Sequence, residues 1–240
     1  MKLLIVRPII SERADYLEEA IFTPFLAADT EIVARRLDFG TASIESEYDV
    51  AMNAPDIIRI AKEGEEQGFD GAIVNCFVDP GLDAVKEAVS YPVVGAGSAS
   101  IQLALSIGKR IGIVTILPNL VALIRKLNAE YVNTGRVVCV RTIDTPVLNL
   151  YSDDMIYEKL IEESTKAILE DGADTIVLGC TGLGGMAEKV GERLAANGLE
   201  VPVVDPAGAS VKMLEALVGN HLSHCKRTWM KPTEKMRRLR

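Results

Sequence analysis

The chain has 240 residues, 48% of them hydrophobic and 25% charged, with 26 Lys+Arg against 34 Asp+Glu and a net charge of −8. That length buries a full core as one large or two small α/β units, so folding needs neither a disulfide nor a metal. No apolar run approaches the ~18–20 residues of a membrane span, so no membrane partner is expected. An acidic body offers nucleic acid no platform. Leu3–Val6 reads as a strand from the outset, so no secretory leader is expected. The cysteines, Cys76, Cys139, Cys180 and Cys225, are scattered without a CxxC, which reads as free thiols in the cytoplasm.

In chain order, Leu3–Val6, Ala72–Val74, Val93–Val94, Arg110–Thr115, Val137–Arg141, Thr175–Leu178 and Val203–Val204 read as buried strands. They lack polar/apolar alternation, as parallel strands covered on both faces do. Amphipathic stretches at Asp56–Gln67, Leu82–Ala88, Val121–Glu130, Asp154–Asp171 and Ala209–Leu217 predict crossover helices between them. From Lys226 to Arg240 seven basic residues, including Arg237, Arg238 and Arg240, face one acid, Glu234. This tail reads as a solvated terminus or an arm onto a neighbouring subunit.

The chain also repeats itself. Gly68-Phe69-Asp70-Gly71-Ala72-Ile73-Val74-Asn75-Cys76 aligns without a gap on Gly172-Ala173-Asp174-Thr175-Ile176-Val177-Leu178-Gly179-Cys180. Tyr91–Gly95 aligns on Val201–Asp205, and Lys2–Val6 on Arg110–Val114. Three matched segments in one order indicate an internal duplication. The predicted fold is therefore α/β, with two pseudo-symmetric lobes, each a short, mainly parallel sheet flanked by helices. The expected division is 1–100 plus 206–225 for the first lobe, 101–205 for the second, and 226–240 for the tail. Ligands of open α/β sheets bind beyond the carboxyl ends of strands, so Cys76 and Cys180 should flank a shared cleft from opposite sides.

A thiol there meets backbone N–H groups and a helix dipole, which should lower its pKa and make it an acid/base group. Two such thiols facing one carbon can invert it: one removes a proton, the other delivers one to the far face, and no cofactor is needed. Taken singly, a cysteine at a strand end is a small core residue, and Cys139 within Val137–Val140 reads as core. His221, His224 and Cys225 have a helix-face spacing but no further ligand nearby, so no metal site is expected. With no histidine in the body there is no Ser-His-Asp or Cys-His machinery, and no phosphate-binding glycine loop is present.

Asn75-Cys76-Phe77-Val78-Asp79-Pro80-Gly81-Leu82-Asp83 resembles the first-cysteine motif of hydantoin racemases, Cys-Phe-x-Asp-Pro-Gly-Leu, and Gly179-Cys180-Thr181-Gly182-Leu183 is similar to their second. The likeness runs from about residue 1 to 220 and extends to the aspartate/glutamate/hydantoin racemase superfamily. It implies a two-lobed fold, Cys76 and Cys180 as catalytic residues, no cofactor, a small-molecule substrate and a homo-oligomer. On that basis the N–H groups of Phe77, Val78, Thr181 and Gly182 would cradle an oxyanion. Thr115 and Arg7 would touch substrate, and Ser43 and Glu45 would lie in a loop over the cleft. The chain departs from the family at Arg7-Pro8-Ile9-Ile10-Ser11, where hydantoin racemases typically carry Asn-Pro-Asn-Ser/Thr. Arg7 suits a carboxylate, whereas Phe77 and Val78 suit an uncharged ring. Asp79 is expected to form the turn or the N-cap ahead of the helix that starts at Gly81–Leu82. The expected activity is racemisation of 5-substituted hydantoins or allantoin, with two alternatives: an aspartate, glutamate or other amino-acid racemase, or a two-lobed binding protein without catalysis. A decarboxylase of the superfamily needs only the second cysteine, so Cys76 argues against it.

Overall fold

The computed structural model describes residues 1–12, 17–131, 135–150 and 154–236, with side chains omitted for 17–19. The apolar runs form strands β1 (Lys2–Arg7), β2 (Glu31–Arg36), β3 (Gly71–Val74), β4 (Val93–Gly95), β5 (Ile111–Thr115), β6 (Val137–Thr142), β7 (Thr175–Leu178) and β8 (Val203–Val204). They pair into two parallel four-stranded sheets, ordered β2-β1-β3-β4 and β6-β5-β7-β8. The two orders correspond strand for strand, as a duplication requires. Strand β2 was not legible: Glu31, Arg35 and Arg36 mask its period, because as an edge strand it is half-exposed. Its register against β1, with Leu4 beside Val33, makes it a strand.

The helices are α1 (Leu17–Phe22), α2 (Glu47–Glu66), α3 (Leu82–Ala88), α4 (Ala96–Ile107), α5 (Asn119–Tyr131), α6 (Asp154–Leu169), α7 (Ala187–Ala196) and α8 (Pro206–Gly219). Helix α2 starts nine residues before the predicted Asp56, with Pro55 in its interior. Its true start is a cap: the Ser46 hydroxyl accepts the Asp49 N–H at 3.2 Å and donates to the Asp49 carboxylate at 2.7 Å. Helices α4 and α8 carry small residues and are buried along most of their length. They exchange sides. Ile101 and Ala104 of α4 pack into the core of the second sheet with Ile111, Ile113 and Val177. Val211 and Leu214 of α8 pack onto Leu3, Ile5 and Ile73 of the first. Burying an Ile or Leu contributes roughly 1.5–3 kcal/mol, so this exchange ties the lobes together and sets how their strand ends face each other.

The segment from His224 to Trp229 is held against the first lobe. The His224 Nε2 accepts the Val93 N–H of edge strand β4 at 2.8 Å, and the Trp229 indole donates to Asp83 at 3.1 Å. Lys86 sits 4.8 Å over the Trp229 ring. Burial, aided by Lys86 and Lys226, pushes His224 down to about 4, so it is the neutral acceptor this edge cap needs. His224 and Trp229 thus anchor this segment to the first lobe of its own chain, and residues 230–236 are exposed. Arg237, Arg238 and Arg240 lie outside the described residues. Among the described residues, no helix is long and apolar enough to cross a membrane.

Candidate active site

The carboxyl ends of the central strands β1, β3, β5 and β7 meet at one cavity of about 190 Å³, bordered by Arg7, Asn75, Ile116 and Gly179. Cys76 and Cys180, each two residues past its strand, line it from the two lobes. The second loop leaves its strand close against β5: a Cβ on Gly179 would lie 2.7 Å from Ile113 and 3.0 Å from Thr115. Across the cavity, the Thr181 hydroxyl donates to the Asn75 carbonyl at 3.2 Å, joining the two cysteine loops.

Cys76 is half-buried and Cys180 buried. Burial pushes the Cys76 thiol up to about 12, against the N–H groups of Val78 and Phe77, which favour its thiolate. A charge on Cys180 or Asp79 would raise it further. Burial pushes Cys180 up to about 11; the N–H groups of Gly182 and Leu183 oppose this and Glu45 adds to it. The expected lowering of the thiol pKa is therefore overturned, because desolvation exceeds the N–H and dipole contribution. Chemically this is useful: a thiol that ionises reluctantly is a strong base once ionised and a stable acid beforehand. These folded values lie above the ordinary thiol value, so the associated stability is present below about pH 9 and is lost as pH rises toward the thiols' own range. Alkylation of Cys180 should accordingly rise about tenfold per pH unit between pH 7 and 9. Mass-spectrometric labelling rates check this, and a plateau below pH 8 would contradict it.

The other predicted residues divide into those in the wall and those behind it. Phe77, Val78, Thr181, Gly182 and Arg7 line the cavity. The amides of Phe77, Val78 and Gly182 are turned to the cysteine sulfurs, and the Thr181 hydroxyl to Asn75, so these groups hold the thiols and the loops. Thr115 is not a wall residue. It is fully buried and donates to the Gly179 carbonyl at 2.8 Å, fixing the strand end that precedes Cys180. Ser43 is also displaced from the wall, where Ile44 stands instead, and its carbonyl accepts the Thr41 hydroxyl at 2.7 Å. Glu45 accepts the Val147 N–H at 3.1 Å, tying this loop to the 147–149 turn of the other lobe. Arg7 is 4% exposed and its guanidinium donates to the Ser11 carbonyl. Asp79 caps α4 rather than α3, accepting the Gly97 and Ser98 N–H groups at 2.8 and 2.9 Å. Burial pushes its carboxyl up to about 6.

The sequence reading missed most of the apolar wall: Ile9, Ile21, Ile44, Ile116, Leu120, Val147, Leu148 and Leu150. Only their clustering after strand ends could have pointed to them. Cys139 has its thiol beside Asp171, away from the cavity. Among the described residues, no group of three or more His, Cys, Asp or Glu is arranged to hold a metal.

Fold and site together define a duplicated α/β protein that presents a pair of thiols to one small apolar cavity. Residues 18–214 match the family model described as Asp/Glu/Hydantoin racemase. A hydantoin racemase of Rhizobium meliloti is 39% identical over 210 residues, covering 87% of this chain and 84% of that one. A hydantoin racemase of Paenarthrobacter aurescens is 32% identical over 238 residues, covering 98% and 99%. The solved allantoin racemase from Klebsiella pneumoniae superposes with a TM-score of 0.91 at 33% identity, covering 98% of this chain and 95% of that one. The chain belongs to the Asp/Glu/hydantoin racemase family, and it is an isomerase of the racemase type.

Proposed function

We propose that this racemase inverts C5 of 5-substituted hydantoins, allantoin included, without a cofactor, using Cys76 and Cys180 as a two-base pair. The observation that carries this reading is that two cysteines on duplicated loops line one apolar cavity from opposite lobes. One thiolate takes the C5 proton, leaving an enolate delocalised onto the adjacent ring carbonyl. The other thiol gives its proton to the opposite face, so the pair ends with its ionisation exchanged and the carbon inverted. A further turnover in the same sense follows once the thiols exchange protons with solvent and the starting ionisation is restored. The names of the relatives, hydantoin racemase and allantoin racemase, support the ring substrate. So does the wall: a cavity faced by Ile9, Ile44, Phe77, Ile116 and Leu148 penalises the second carboxylate of aspartate or glutamate by desolvation. The fixed cation that argued for an acidic substrate, Arg7, makes a hydrogen bond to Ser11 within its own loop.

The test is proton NMR in D2O with single enantiomers of 5-substituted hydantoins, allantoin, aspartate and glutamate. Loss of the α-proton signal together with loss of optical rotation is expected for the ring compounds alone. Reaction of aspartate or glutamate would replace this reading with an amino-acid racemase. Silence across the panel, with thermal shifts on ligand addition, would replace it with a binding protein.

A further inference from the structure

The two cysteine loops are fastened by carboxylates that occupy different positions in the chain but the same place in space. In the first lobe the carboxylate belongs to the cysteine loop itself: Asp79, three residues after Cys76, accepts Gly97 N–H at 2.8 Å and Ser98 N–H at 2.9 Å in the first turn of α4. In the second lobe it belongs to the helix: Asp205, the N-cap of α8, accepts Ala207 N–H at 2.9 Å and Gly208 N–H at 3.4 Å. Its other oxygen reaches back to the Gly185 N–H at 2.7 Å, in the loop that follows Cys180. In the internal repeat Gly95 corresponds to Asp205, so Gly97 and Ser98 correspond to Ala207 and Gly208, and the same two amides are capped in both lobes. Asp79 falls opposite Leu183, which carries no charge. A Cβ on Gly95 would land 2.2–2.4 Å from the Asp79 carboxyl atoms, so Asp79 fills the space an aspartate at 95 would need. Gly95 also has the backbone of a capping residue, φ −94 and ψ 141, beside −88 and 127 at Asp205.

A helix start needs only a local cap. Common to both lobes is a bridge from cysteine loop to helix, built from either side. The bridge matters most in the first lobe, because Val78 and Asp79 border a second cavity of about 210 Å³ between α3 and α5, so packing alone does not hold that loop from behind.

We infer that Asp79 and Asp205 are equivalent positioning residues, each fastening its own lobe's cysteine loop to the following helix and so holding that lobe's thiol at the substrate. This rests on the proposed two-base racemisation. Asp79→Gly tolerates the left-handed φ of 48° at this position and empties the space beside residue 95. It should lower racemisation by about 100-fold, the effect of an ångström's misplacement. Adding Gly95→Asp transplants the second lobe's arrangement and should restore most of the rate.

Uptake of α-deuterium separates positioning from general damage. Asp79→Gly should slow exchange chiefly in the enantiomer slowed by Cys76→Ser, and Asp205→Asn in the one slowed by Cys180→Ser. Equal slowing of both enantiomers, or a folded double variant that stays inactive, would overturn the inference. Should Asp79→Gly not fold, Asp79→Asn, which keeps the side-chain shape and loses the charge, is read in the same way. If wild-type protein exchanges no compound of the panel, the functional reading fails and thiol labelling decides. A several-fold change in Cys76 alkylation with Cys180 unchanged in Asp79→Gly supports the inference, and equal changes refute it.

Discussion

Cys76→Ser and Cys180→Ser are each expected to lower racemisation by about 10²–10⁴-fold, the usual contribution of a positioned acid or base. A hydroxyl is a far weaker acid than a thiol, so serine neither becomes the base nor matches the proton affinity of its partner. Inversion needs both groups, since one face of the carbon loses a proton as the other gains one. Each single variant should therefore stop inversion in both directions. Exchange needs only the base, so each should still wash out the α-proton of the one enantiomer whose proton faces the surviving cysteine. Polarimetry reads the first effect and deuterium uptake the second. Full activity in both variants would end the two-base account, and unchanged ligand affinity with no turnover in wild type would favour a binding protein. Cys139→Ser is the control, because its thiol lies beside Asp171 and outside the cavity.

Among the glycines, Gly97→Ala should be the most damaging substitution. A Cβ on Gly97 would stand 1.8 Å from the Phe77 carbonyl oxygen, 2.8 Å from its carbon and 2.7 Å from Leu127. The Leu127 methyl can shift, but the Phe77 carbonyl is backbone and cannot rotate away, so α4 or the loop carrying Cys76 must move. Overpacking of this kind costs about 1–3 kcal/mol or more. In a chain of this size each kcal/mol lowers Tm by roughly 2–4 °C. Activity should fall further than stability, because Phe77 directly follows Cys76. Gly191→Ala in α7 is the comparison: the nearest atom to its Cβ is 3.7 Å away, so it should gain about 0.5–1 kcal/mol from helix propensity and keep full activity. Thermal melts and the racemase assay on the two variants give the contrast. Equal Tm values would show that the close approach of α4 to the Phe77 carbonyl is absent in solution.

Much of this molecule was legible as sequence because the determining forces were local. Parallel strands buried on both faces must be short continuous apolar runs, and seven of the eight described strands were read that way. The duplication, and with it a cleft flanked by Cys76 and Cys180, followed from an ungapped match of strand and loop. Tertiary structure decided the rest, since those effects depend on groups far apart in the chain. Strand β2 is defined by its pairing with β1 and not by its own composition. Thr115 faces Gly179, 64 residues away, and so supports the site from behind rather than touching it. Asp79 passes over the helix next to it to cap α4, because the emptiness of Gly95 leaves its carboxylate a place there. The thiol pKa values rose where local reasoning had them fall: N–H groups and helix ends can be read from the chain, but the apolar walls that desolvate Cys76 and Cys180 come from both lobes and exist only once they close on each other.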